Sequence, residues 1–142
     1  MEDLKSAKER SDALLGRAPC VQLTTIGEDG WPVTKAFLPP LARSGLKTLW
    51  FSTNTGSRKI ARIESNPKAC VYVCDPGTYE GLALTGELEI VKDPEIKAGL
   101  WKEGFETYYP KGPEDPDYCV LRFMAKDASY YNNLRDVSWK VD

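Results

Sequence analysis

"TLWFSTNTGSRKIARIESNPKACVYVCD", residues 48–75, places two apolar runs on either side of a polar turn and one short basic helix. "TLWFST" (48–53) and "ACVYVCD" (69–75) are rich in β-branched and aromatic residues, the composition of strands. Between them Asn54, Thr55 and Gly56 form a turn, and Ser57 is an N-cap candidate. Ile60 and Ile63 give the helix an apolar side, and Asn66 with Pro67 stops it. A doubly wound parallel fold needs a long helix after nearly every strand, and along this chain only one crossover is long enough. No G-x-G-x-x-G follows a strand, and "NTGSRK" lacks the G-x-x-x-x-G-K-[ST] spacing of a phosphate loop.

Outward from this segment the pattern stays β. "CVQLTTI" alternates, "GEDG" turns and "WPVTKAFL" continues, so residues 20–38 read as a hairpin that "PPLARSG" interrupts. "LALTGELEIVKD" (82–93) is a further strand with a bulge expected at Gly86, pairing with 69–75 across "PGTYEG". "CVLRFMAK" is the sixth. Residues 2–16 form a helix ended near Gly16, expected as a lid or interface element. "DPEIKAGLWKEGFETYY" carries an Asp cap, a proline at the first helical position and one apolar side, an amphipathic helix. The aromatic residues of "DASYYNNLRDVSWKVD" indicate a docked tail. The expected fold is therefore mainly β, a small barrel of about six antiparallel strands with inserted helices, in one domain over residues 1–142.

Composition narrows the chemistry. The chain of 142 residues is 42% hydrophobic and 28% charged, with 19 basic and 21 acidic residues, a net charge of −2. That balance argues against nucleic acid, which calls for a concentrated positive face. No apolar stretch is long enough to span a bilayer, and the charged N-terminus lacks a secretory pattern, so the expected location is the cytoplasm. Histidine is absent, which removes His-based nucleophilic schemes. The four cysteines form no C-x-x-C pair, so no metal site is expected and the thiols read as buried. Chemistry must then come most economically from a cofactor.

The helix at Ser57 poses one contradiction. Its first turn carries Arg58 and Lys59 where unpaired N–H groups and the positive dipole end favour acids, a cost of a few tenths of a kcal/mol. Solvated surface charges would be one reading. The hydroxyls and flexible backbone of residues 53–57 favour the other, a phosphate held at the helix start.

The order of "PVTKAFL", "LWFSTNTGSRKIARIESNP", "ACVYVCD", "LALTGELEIVKDPE", "LWKEGFETYYPKGPEDPDYCVLRF" and "ASYY" resembles the pyridoxamine 5′-phosphate oxidase-like, FMN-binding split-barrel family, in particular its general stress protein branch. The resemblance covers about residues 10–131. It implies a homodimer with FMN at the subunit interface and a small-molecule electron donor or acceptor. It implies that Ser57, Arg58 and Lys59 meet the phosphate, with Lys35 adding charge, and that Ala36, Phe37, Phe51, Ser52 and Thr53 lie along the flavin.

The chain departs from the true oxidases of that family. It lacks their C-terminal arginine and histidine signature, and Glu80 or Gly81 stands where they place a flavin-contacting glutamine, which argues against vitamin B6 oxidation. What the resemblance implies is an FMN-dependent oxidoreductase of unassigned substrate, without a nameable catalytic acid or base. The alternative is a noncatalytic FMN-binding stress protein that stores or senses flavin.

Overall fold

The computed structural model describes residues 3–56 and 58–142. Its elements in chain order are α1 (Leu4–Arg17), β1 (Val21–Ile26), β2 (Pro32–Phe37), β3 (Ala42–Ser44), β4 (Thr48–Asn54), α2 (Arg58–Ser65), β5 (Lys68–Cys74), β6 (Gly81–Val91), α3 (Pro94–Gly99), β7 (Tyr118–Asn132) and β8 (Arg135–Lys140). Two single 3₁₀ turns, Phe105–Thr107 and Gly112–Glu114, lie between α3 and β7.

All pairings between these strands are antiparallel, in the order β2-β1-β5-β6-β7-β4-β3, with β8 on the second half of β7. The described strands number eight rather than about six. The short β3 was hidden in the proline-rich connection, and β8 in the tail. β7 runs 15 residues because its first half pairs with β4 and its second half with β8. The expected bulge is present: the β6–β7 register shifts between Thr85 and Gly86, where a Cβ on Gly86 would collide with the Met124 carbonyl.

Although β2 and β4 stand far apart along the sheet path, the rings of Phe37 and Phe51 lie 5.9 Å apart, edge to face. The sheet has curled until its two ends meet. No ladder joins β2 to β4 among the described strands, so the curl stays split. Alternate residues of each strand fill the interior: Val21 and Leu23, Leu49 and Phe51, Val71 and Val73, Leu82 and Leu84, Leu121 and Phe123 are all nearly fully buried. α1, capped by the Asp3 carboxylate on the Ser6 N–H at 2.7 Å, buries Ala7, Ser11, Leu14 and Leu15. Its apolar side therefore plugs this core; it is not a lid and leaves no apolar stripe for a partner.

The mid-chain amphipathic helix is shorter than its periodicity suggests. α3 begins with Asp93 capping the Glu95 N–H at 2.9 Å and ends at Gly99, and Gly104 adopts φ 94° before the next turn. The break lets Trp101, Phe105, Tyr109 and Tyr118 form a second cluster, with Trp101 at 5.1–6.1 Å from the other three rings. These aromatic groups are satisfied inside the chain. Of the cysteines only Cys119 is buried; Cys74 is exposed on the outer face of β5, and Cys20 and Cys70 are half-buried. No described helix is long and apolar enough to cross a membrane.

Candidate functional site

At the split, backbone hydrogen-bonding capacity is left over. Among the described residues β2 ends the sheet path and pairs only with β1, leaving one edge of Lys35, Ala36 and Phe37 with no described strand beside it. Residues 51–54 of β4 pair with β7 on one side, while β3 covers only Thr48, Leu49 and Trp50 on the other. Two strand edges with unspent N–H and C=O groups therefore flank the opening.

α2 sits beside it. Its entry turn is tied to the loop before β7: the Thr55 N–H donates to the Asp117 carbonyl at 3.0 Å, and the Thr55 hydroxyl and Gly56 N–H both donate to the Asp117 carboxylate, at 3.1 and 3.3 Å. Ile63 is buried and Ile60 packs against the core, which fixes the helix roll. Its end is held by the Lys68 N–H donating to the Asn66 side-chain carbonyl at 3.1 Å.

That roll directs the basic residues to different places. The Lys59 ammonium stands over the Phe37 ring, 5.0 Å from its centroid. Burial, and then the positive charges of Lys35 and Arg62, push its pKa below the ordinary 10.5. So Lys35, Lys59 and Arg62 share one electrostatic neighbourhood. Among the described residues no carboxylate forms an ion pair with any of these three or with Arg58. Arg58, exposed, lines a separate hollow with Arg62 beside the β1–β2 turn. Ser57 lies outside the described residues.

At the other end of the split, Ser52 and Thr53 line a cleft of about 470 Å³ with Leu38, Asn54, Phe105, Tyr108, Tyr109 and Asp117. Leu38 and Tyr108 are 60% and 67% exposed, apolar groups with nothing over them. Burial, followed by the nearby Asp117 charge, pushes the Tyr109 phenol upward against the opposing effect of Ser52. Phe51 differs from its neighbours: its ring is 1% exposed in the core, so only its backbone can touch a ligand.

The nine residues singled out in the sequence thus separate into a cationic end (Lys35, Lys59), two strand edges (Ala36, Phe37, Phe51), a cleft (Ser52, Thr53), an outlying Arg58 and the undescribed Ser57. Sequence reasoning missed Arg62, Leu38, Tyr108, Tyr109 and Asp117. Arg62 was accessible, since it follows Arg58 by four residues and so shares a helix face. The others come to the site only through tertiary packing.

Glu80, near the place where the true oxidases carry a flavin-contacting glutamine, is built into the fold. It accepts from the Tyr130 hydroxyl at 2.6 Å, the Thr78 hydroxyl at 2.9 Å and the Arg17 guanidinium at 3.2 Å, and is 9% exposed. The Tyr130 hydrogen bond, helped by Thr78, Arg17 and Arg10, holds its pKa below the usual 4.5 against the opposing effect of burial.

Comparison with known proteins gives a consistent result. No curated protein matches the chain. A Clostridium acetobutylicum protein related to general stress protein 26 of B. subtilis, of the pyridoxinephosphate oxidase family, superposes with a TM-score of 0.90 at 40% identity, over 99% of this chain and 98% of that one. A pyridoxamine 5′-phosphate oxidase-related, FMN-binding protein from Nostoc punctiforme PCC 73102 has a TM-score of 0.72 at 16% identity, over 100% and 98%, and so shares the fold. An F420 reductase has a TM-score of 0.64 at 27% identity, over 83% and 94%. The family model described as pyridoxamine 5′-phosphate oxidase matches residues 7–132, and with the curled antiparallel sheet and its split this chain belongs to that family.

Proposed function

We propose that the protein binds FMN along the split between β2 and β4 and acts as an FMN-dependent oxidoreductase on a small-molecule donor or acceptor. What carries this reading is the Lys59 ammonium over the Phe37 ring, with Lys35 and Arg62 close enough to lower its pKa and no ion-paired carboxylate among the described residues, beside two free strand edges. A phosphate dianion relieves the repulsion among the three cations and complements the start of α2. The free amides and carbonyls of Lys35–Phe37 and of residues 51–53 suit the alternating donors and acceptors of a flavin ring. Leu38 and Tyr108 supply apolar cover at the cleft.

When bound, FMN supplies reversible hydride and electron transfer. The chain's own part is to hold the phosphate at Lys35 and Lys59, orient the ring through backbone hydrogen bonds and exclude water with apolar side chains. The same proposal includes a homodimer with the split completed by the partner. The outer face of β5–β6–β7–β8 remains open for it, with Tyr72 40% exposed and shallow hollows lined by small side chains such as Ala83, Thr85 and Ser129.

The test compares FMN with riboflavin, which lacks the phosphate. Lys59→Gln is expected to weaken FMN about tenfold or more and leave riboflavin nearly unchanged, because a hydrogen bond to a charged group contributes roughly 1.5–3 kcal/mol. Equal losses would place the phosphate elsewhere. Steady-state NAD(P)H oxidation by the flavin-loaded protein then separates an oxidoreductase from a protein that only stores or senses flavin.

A further inference from the structure

The hollow beside the β1–β2 turn is not used by FMN in the reading above. Three hydrogen bonds pin that turn: the Gly27 N–H to the Trp31 carbonyl at 2.8 Å, the Gly30 N–H to the Gly27 carbonyl at 2.9 Å and the Trp31 N–H to the Asp29 carboxylate at 3.0 Å. Gly30 permits the turn with φ 84°. Trp31 is therefore attached to fixed backbone, yet its side chain is 71% exposed. It borders a hollow of about 450 Å³ whose walls also include Val33, Glu28, Asp29, Arg58 and Arg62.

This is an uncommon combination. Two guanidiniums suit phosphate oxygens. Two carboxylates beside them disfavour a bare anion but accept hydrogen bonds from the hydroxyls of a ribose. An exposed indole on rigid backbone is a stacking surface for a purine. Arg62 belongs both to this hollow and to the charge neighbourhood of Lys35 and Lys59. Arg62 thus stands between the two groups of cations, and the volume of the hollow lies in the range of small-ligand sites.

We infer that this hollow receives the adenosine 5′-phosphate half of FAD, so that the site accepts the dinucleotide as well as FMN. The inference rests on the flavin reading of the split. Arg58 and Arg62 then meet the second phosphate, Glu28 and Asp29 the ribose, and Trp31 the adenine. This also gives Arg58, which lines the hollow while Lys59 stands over Phe37, a ligand of its own.

The experiment titrates FMN and FAD separately into the full-length protein and reads binding from flavin fluorescence. Wild type is expected to bind FAD at least as tightly as FMN. Trp31→Ala should weaken FAD about tenfold while changing FMN less than about twofold, and Trp31→Phe, which keeps a ring, should retain most FAD affinity. Because Trp31 is exposed, circular dichroism of both variants should match wild type. Equal losses for both ligands in Trp31→Ala, or wild-type FAD binding tenfold weaker than FMN, would overturn the inference and leave FMN binding standing. If neither flavin binds, the reading of the split fails, and this inference with it.

Discussion

Replacing Glu80 by glutamine keeps the shape of the side chain and removes its charge, which isolates the electrostatics of the buried network under α1. The carboxylate now accepts three hydrogen bonds, from Tyr130 on one oxygen and from Thr78 and Arg17 on the other. An amide has one oxygen and one NH₂. If the oxygen stays toward Thr78 and Arg17, the NH₂ meets the Tyr130 hydroxyl, whose own hydrogen is then unpaired in a fully buried setting. If the amide flips, its NH₂ meets the Arg17 guanidinium, donor against donor. At least one strong bond is lost in either orientation.

Hydrogen bonds to charged groups contribute roughly 1.5–3 kcal/mol, and the partly exposed Arg17 pair adds at most about 1 kcal/mol. The expected cost is about 3 kcal/mol, a fall in Tm of about 9 °C for a domain of this size. The pH dependence is a second, independent signature. Glu80 has its folded pKa below the ordinary 4.5, so its stabilisation is complete above that value and is lost as pH falls through the folded value. Below it wild type also carries a neutral side chain, and the gap between the two melting curves should close. The assay is thermal unfolding of both proteins from neutral pH to below pH 4. A gap under about 1 kcal/mol at neutral pH, or one that does not shrink on acidification, would refute the argument.

Two further outcomes test the backbone. Gly86→Ala should destabilise by about 3 kcal/mol or more in urea, because the added Cβ meets the Met124 carbonyl and approaches the Met124 carbonyl carbon and Ala125 Cα at 2.8 and 2.9 Å, all rigid backbone. Leu134→Gly should stabilise by about 0.5–1 kcal/mol: Asn133 and Leu134 form the two-residue turn between β7 and β8 with φ 52° and 64°, and glycine relieves the left-handed strain of an 88% exposed leucine, as a rise in Tm would show.

What the sequence made legible was the part governed by local rules. The β1–β2 hairpin, the β5–β6 pair and the bulge at Gly86 follow from alternation and from turn residues near in sequence. The β7–β8 hairpin escaped because its turn is Asn-Leu, with a leucine in a conformation that usually signals itself by glycine. α3 was read too long because its aromatic spacing fits a helix, whereas Gly99 and Gly104 release those rings into a cluster around Tyr118, a residue beyond the helix altogether. The family model places the chain among relatives of a known fold, yet that assignment could not show Arg58 and Lys59 diverging. Adjacent helical residues are separated by about a quarter turn, and here Lys59 stands over Phe37 while Arg58 lines the hollow beside the β1–β2 turn.

The same contrast marks the proposed site. Over most of the chain local preference and tertiary structure agree: Asp3 and Asp93 cap helices, small residues fill close approaches and apolar residues face inward. Around β2 and α2 they disagree several times within a small region. Cations crowd a helix start, two strand edges go unpaired, and a tryptophan is left exposed on pinned backbone. Lys35 on an open edge hinders edge-to-edge association, which accounts for that one cation but not for Lys59 or Arg62 on the helix beside it. A ligand with phosphate, ring and alternating polar edge answers all of them together, and it stabilises only the folded state, by RT ln(1 + [L]/Kd). Several of the free protein's local conflicts around β2 and α2 thus coincide with contacts of the proposed complex.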